Sequence, residues 1–300
     1  MMSDFEITYL HRISQLPLDA DAEMFRQYPA FKLGVTASVR HYAQLLLPLV
    51  QRLIASDSEH TGWILTAPAI AAQTPAAANL LCWELIDLYM RERDMRPSKE
   101  LSLIDIQHDS ESTASTHWKD PTKTQDYAKL DFADRVTERE RSSRRLIRNA
   151  DFHARPILFV NDMCVTGAQQ HAMQQYFERV EAACVRWLYV IVVDPEIGRT
   201  QPQIEWQINF VPFGDLLRMV SREQIQFTGK CVQRLMHLSI AELDQVLRAL
   251  NGERRTRLLE LAVLNGFQNL DSFQEQMELV RSYRTERTTL ARHNGRRIWL

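Results

Sequence analysis

The sequence has nine glycines in 300 residues, and no two of them are separated by a single residue. The Gly-x-Gly turn that lets a dinucleotide pyrophosphate approach the backbone is therefore missing, which argues against a nicotinamide or methyl-donor Rossmann enzyme. Gly-Lys followed by Ser or Thr is missing too, because Gly229 and Lys230 precede Cys231, and a P-loop nucleotidase loses its support. The four cysteines, Cys82, Cys164, Cys184 and Cys231, form no Cys-x-x-Cys pair and show no metal-ligand spacing with histidine; they read as reduced thiols. No run of eighteen apolar residues occurs, and the first residues carry neither a basic start nor an apolar leader segment. A cytoplasmic chain without a membrane anchor is expected. A formal net charge of −2 argues against non-specific nucleic-acid binding by the whole surface.

What is present is ordinary for a globular chain, 45% hydrophobic and 25% charged, with a length that suits two domains. Strand candidates recur at Trp63–Thr66, Leu101–Ile106, Ile157–Val160, Val185–Val193 and Ile204–Val211. Helical apolar spacing fills Ser38–Ala55 and Pro75–Met90, and such alternation predicts a parallel α/β sheet covered by helices. Beyond Pro212 the pattern turns helical, with a capping box from Ser239 to Glu242 and helix stops at Gly252 and Gly266. The expected division is an α/β domain over residues 1–215 and a helical C-terminal extension over 216–300. The last twenty residues hold six arginines and one acid, Glu286, a tail suited to packing on a partner chain.

Chemistry concentrates in Pro156–Gln170, PILFVNDMCVTGAQQ. Ile157–Val160 is an apolar run without alternation, as in a strand buried on both faces, and the good helix formers after Gly167 put Thr166 near a helix N-cap. The free amides of that helix start favour an anion such as a phosphate. Asn161 and Asp162, at the strand's carboxyl end, can accept or donate hydrogen bonds to sugar hydroxyls, so the segment describes a ribose 5-phosphate site.

This segment resembles the phosphoribosyl pyrophosphate (PRPP) motif of the type I phosphoribosyltransferases: an apolar strand, two acids, two variable residues, Thr-Thr-Gly, one variable residue and Thr. Asp162, Thr166 and Gly167 fall on motif positions, while Asn161 replaces the first acid, Val165 the first Thr and Gln169 the last hydroxyl residue. The substitutions keep the backbone amides that cradle phosphate and remove one charge, which favours binding over turnover. The resemblance implies a mostly parallel open sheet of five strands flanked by helices, with PRPP contacts from Asn161, Asp162, Cys164, Val165, Thr166, Gly167, Ala168 and Gln169. It also implies magnesium carried in by PRPP, with no direct protein ligand assigned, and release of pyrophosphate to a small-molecule acceptor. Within the family, the helical extension and the stretch DYAKLDFADR look most like the phosphoribosyltransferases of tellurite-resistance and stress gene clusters, themselves similar to competence-type members.

Such a transfer needs groups for the pyrophosphate as well. Ala67, Pro68 and Ala69 follow the first predicted core strand, where the family's pyrophosphate loop lies, and Ala67–Pro68 is a candidate cis peptide. Lys119–Arg145 resembles the family's flexible catalytic loop, with Lys123, Lys129 and Arg135 as candidate cations and Asp162, Lys129 and Arg135 as the catalytic set. The competing reading of residues 139–148 is a solvated helix face laced with ion pairs. Trp63, Trp83, Trp187 and Trp206 are read as core, and His153, His171 and His237 are assigned no role. A homodimer or a partner protein engaged through residues 216–300, with neither membrane nor nucleic acid, completes the expectation. The alternative is a non-catalytic module of the same fold that senses PRPP or a nucleotide and signals through a partner.

Overall fold

The computed structural model describes residues 7–17, 23–70, 74–93, 100–107, 132–144, 146–147 and 149–293. Five strands, β1 (Ile7–Ile13), β2 (Trp63–Thr66), β3 (Leu101–Leu103), β4 (Pro156–Cys164) and β5 (Cys184–Val193), form a sheet in the order β1-β5-β4-β2-β3. Every strand pair is parallel. Around it lie α1 (Glu23–Leu33), α2 (Thr36–Ser56), α3 (Ala77–Arg93), α4 (Phe132–Ser143), α5 (Ala168–Arg179), α6 (Pro195–Thr200) and α7 (Ile204–Ile208). Five longer helices follow: α8 (Phe213–Arg222), α9 (Gly229–Met236), α10 (Ile240–Ala249), α11 (Gly252–Leu264) and α12 (Gln274–His293). The architecture is the α/β open parallel sheet flanked by helices, followed by a helical C-terminal part, as the sequence pattern predicts.

The central strands are apolar on both faces because helices cover both. Leu158, Val160, Leu188 and Val190 pack with Leu46, Val50, Leu81 and Leu85 of α2 and α3, whereas Ile157, Phe159, Trp187 and Tyr189 pack with Met173, Tyr176 and Phe177 of α5. From Ile157 to Val160, residues of even number on β4 thus face α2 and α3 and residues of odd number face α5; past Asp162 the parity reverses, with Met163 in the first cluster and Cys164 against the second.

Three sequence readings are corrected. Ile204–Val211 is not a strand; Ile204–Ile208 is the helix α7, with Ile204 and Ile208 buried and Trp206 exposed. Apolar residues at 204, 206 and 208 satisfy a two-residue repeat, but the buried pair is spaced by four, as one helical turn requires. The fifth strand is instead β1, which pairs with β5 from Ile7↔Trp187 to Ile13↔Val193. Gly252 does not stop a helix but begins α11, whose Asn251 cap accepts the Arg254 amide at 2.9 Å. Gly266 does follow a helix end at φ +79°, and Ser239 and Glu242 form the expected capping box.

Helices α8 to α12 share a hydrophobic cluster built on Leu216, Leu235, Leu243, Leu258 and Met277, which also takes in Leu33 and Val211. The segment before α9 is stitched to the end of α1. The Thr36 amide donates to Gln224 O at 2.8 Å, the Gln226 amide to Gly34 O at 2.9 Å, and Thr228 Oγ1 to Lys32 O at 2.8 Å. Gly34 permits this approach: its φ is +90°, and a Cβ there would lie 2.0 Å from Gln226 O. Gly34→Ala is therefore expected to cost about 3 kcal/mol through a left-handed backbone and a steric overlap that neither chain can relieve cheaply. Urea unfolding measures it, and a midpoint equal to that of the parent would refute the close contact.

Candidate functional site

Chemistry in an open parallel sheet collects where neighbouring strands send their connections to opposite faces. β2 leads into α3, which packs on the α2 face, and its neighbour β4 leads into α5 on the other face. The crevice between the loops after β2 and β4 is therefore the switch point. Thr66 stands opposite Phe159, so the loop Ala67–Ala69 leaves the sheet alongside the last residues of β4. Ala67 is buried, the Pro68 carbonyl accepts from Asn79 Nδ2 at 2.9 Å, and the Ile70 amide donates to Ile106 O at 3.2 Å. Among the described residues the cis peptide is Leu16–Pro17, so Ala67–Pro68 is trans, contrary to the candidate cis bond.

β4 stays in register with β5 through Cys164↔Val192, three residues beyond Asn161. Because side chains alternate along a strand, Asn161 and Asp162 go to opposite faces rather than to one diol. Asn161 is buried on the α5 side, where its Nδ2 donates to Gln169 Oε1 at 3.0 Å and to Met163 O at 3.4 Å. Asp162 faces α1 and α7. Its Oδ1 accepts the Met163 amide at 2.7 Å, and its Oδ2 accepts from Lys32 Nζ, which also reaches Glu205 Oε1 at 3.4 Å.

Lys32 and its two carboxylates make the most charged contact near the switch point. Their side chains are only 13%, 12% and 23% exposed, so each charge depends on the others. Burial lowers the Lys32 pKa, but Asp162 and Glu205 outweigh it and hold the ammonium above its ordinary value. Tyr28 lies with its ring 5.9 Å from Lys32 Nζ, and its buried hydroxyl has no hydrogen-bond partner among the described residues. Burial, reinforced by Asp162 and Glu205, pushes that phenol well above its ordinary value, so it remains a neutral donor.

The loop itself ends at Gly167, which caps α5 at φ +76° with open space where a Cβ would point. Thr166 and Gly167 are partly exposed, and the Ala168 amide reaches Thr166 Oγ1 at 3.4 Å. The amides of Gln169 and Gln170 in the first turn have no acceptor within the helix, which is the arrangement an anion needs. Val165 is buried, and Gly198 of α6 lies so close that a Cβ would sit 2.0 Å from the Val165 carbonyl. Cys164 accepts hydrogen bonds from the Gly167 amide and the Tyr189 hydroxyl, yet burial pushes its thiol up to about 11, so it is no nucleophile near neutrality. Gln170 is buried, and its Nε2 has no acceptor among the described residues.

Of the candidate cations, Lys123 and Lys129 lie outside the described residues, and Arg135 is in α4 with its side chain outside them. Lys32, Glu205, Gly198 and Gln170 were not anticipated. Only Lys32 carried a signal, as the one charge within YPAFKLGV. The two carboxylates that converge here share the Lys32 ammonium. A concavity of about 1140 Å³ lies elsewhere, between Trp83 of α3 and Arg254, Arg257 and Tyr283 of the helical part. The switch point is preferred because the amides and the charged cluster are there.

The model of the PRTase ComF-like family matches residues 8–280, so the chain belongs to that family of phosphoribosyltransferases, and its five-stranded parallel sheet flanked by helices fits their fold. No curated protein matches the chain. Solved structures that resemble it include a hypoxanthine-guanine phosphoribosyltransferase from Bacillus anthracis, at 11% identity over 55% of this chain and 72% of that one, with a TM-score of 0.30. A hypoxanthine phosphoribosyltransferase from Staphylococcus aureus is 9% identical over 52% and 75% of the two chains, with a TM-score of 0.31. At such values the likeness adds no argument to the family match.

Lys32→Met should cost about 3 kcal/mol, since it leaves two buried carboxylates without their cation. Adding Asp162→Asn should restore part of that loss, and a double-mutant cycle by urea unfolding reads the coupling. Because the folded Lys32 pKa is raised, the parent holds this stabilisation at neutral pH and loses it as pH climbs past about 10.4 and through the folded value. Additive losses in the cycle would show that the pair contributes nothing.

Proposed function

We propose that this protein binds PRPP at the switch point and transfers its phosphoribosyl group to a nitrogenous acceptor, expelling pyrophosphate. The observation that carries the reading is the conjunction of an open helix N-terminus at Gly167–Gln170 with the Lys32–Asp162 pair at the adjoining strand end. The 5'-phosphate would lie on the amides of the first turn of α5, where the helix dipole favours a dianion. Asp162 would turn from Lys32 to the ribose hydroxyls. That exchange leaves no orphaned charge, because Glu205 continues to neutralise Lys32. Lys32 is then the nearest described cation for the departing pyrophosphate, a role assigned from sequence to Lys129 and Arg135. Magnesium, arriving on PRPP, would add further charge neutralisation. In a transfer of this kind positioning and charge stabilisation dominate over proton transfer, so a neutral Cys164 is no obstacle.

The second reading is a sensor that binds PRPP without turning it over, acting through a partner protein. Two observations favour it: Asn161 is fastened to Gln169 on the far face, and Asp162 is engaged by Lys32. Titration calorimetry with magnesium-PRPP, followed by a pyrophosphate-release assay over a panel of purine, pyrimidine and other nitrogenous acceptors, separates the two. Binding with release for any acceptor selects the enzyme; binding with none selects the sensor; absence of binding removes both. Asp162→Asn, confirmed as folded by circular dichroism, should bind PRPP about ten- to a hundredfold more weakly, as expected for a lost hydrogen bond to a charged group. Equal affinity in that variant would rule out a ribose contact by Asp162.

A further inference from the structure

At the opposite end of the sheet, the turn after α2 meets the first residue of β5. Asp57, His60 and Cys184 each place one ligand-type atom within 4.8 Å of the others. Cys184 pairs with Pro156, the first residue of β4, whereas the phosphate loop follows Cys164 at that strand's far end. Eight residue steps along a parallel strand separate the two places by roughly 25 Å. The cluster is therefore independent of the PRPP reading.

The local geometry brings the three donors together. Asp57 Oδ1 is pinned by the amides of Glu59 and His60 at 2.8 and 3.0 Å, which turns Oδ2 toward His60 Nδ1, 2.9 Å away. Asp57 is 9% exposed, and His60 and Cys184 are half-buried, so the group is covered yet reachable from solvent. We propose that Asp57, His60 and Cys184 form a binding site for a divalent transition metal of the zinc class, with solvent as the fourth ligand. Imidazole, thiolate and carboxylate together suit zinc, which favours nitrogen and sulfur donors in tetrahedral geometry, and disfavour magnesium or calcium, which prefer oxygen alone. Binding is balanced in charge. The metal takes the position of the proton between Nδ1 and Oδ2, that proton passes by way of solvent to Nε2 so that His60 binds as neutral imidazole, and the Cys184 thiol releases its proton to solvent. A dication then meets two anions. Burial raises the Cys184 pKa and Asp57 and Glu59 raise it further, while Arg186 opposes them, so the thiolate that the metal needs is formed on binding.

The test uses the full chain freed of metal with a chelator and titrated with cobalt(II) alone at fixed pH. One equivalent should bind with a thiolate-to-cobalt charge-transfer band in the near ultraviolet, and zinc should displace it. Cys184→Ser should lose the band, His60→Gln should bind at least tenfold more weakly, and Cys164→Ser, at the other end of β4, should leave the band unchanged. A parent protein with no band overturns the site, as does a band that persists in Cys184→Ser. Should Cys184→Ser not fold, the His60→Gln titration decides: unchanged affinity overturns the proposal, and the expected weakening upholds it.

Discussion

An ammonium group taken out of water must be matched by negative charge held in place, and in this protein Lys32 imposes that requirement on three elements at once. It belongs to α1, Asp162 to β4 and Glu205 to α7, and the three meet where water has little access. The cost of burying each ion is several kcal/mol, so Asp162, sent to this face by its strand, is held there by the cation opposite. That cation is in turn positioned by the end of α1, where Thr228 holds the Lys32 carbonyl and Gly34 lets Gln226 approach. A chain of direct contacts therefore links the helical C-terminal part to the carboxylate at the switch point.

The same constraint explains why the two residues of the Asn161-Asp162 pair part company. A strand that ended at Val160 would leave both free to curl toward one ligand. Here β4 remains paired to β5 through Cys164, and the two-residue period sends Asn161 to Gln169 and Asp162 to Lys32. The side-chain half of the pocket is thus committed to internal partners, each of which a ligand must replace.

The core of the fold was legible because its signals are strong. Trp63–Leu65 and Ile157–Val160 are unbroken apolar runs bounded by other elements, as strands of a doubly covered parallel sheet are, and both lie in strands. β1 escaped notice because ITYLHRI is an edge strand, paired on one side only and half-buried, so polar residues interrupt it. Ile204–Val211 misled for a related reason: over five residues, helical and extended repeats cannot be told apart. At the site, the loop Thr166–Gly167 could be read because a cap and a helix start have local signatures. Lys32 and Glu205 could not, because they approach Asp162 across 130 residues and from a later helix, and no local pattern encodes such a meeting.

On the proposed PRPP reading, the two halves of the switch point differ in how much sequence change they tolerate. The phosphate would rest on amides at the start of α5, whose backbone is fixed by Gly167 and by the packing of Gly198 on the Val165 carbonyl. Val165 and Gln169, standing where the resembled motif has hydroxyl residues, leave every amide in place, so a phosphate would lose little. The sugar would meet side chains, and Asn161, standing where the motif has an acid, carries no charge. On that reading the grip on a phosphate outlasts a change in the hold on the diol, and the diol contact by Asp162, held here by Lys32, would decide whether gripping leads to transfer.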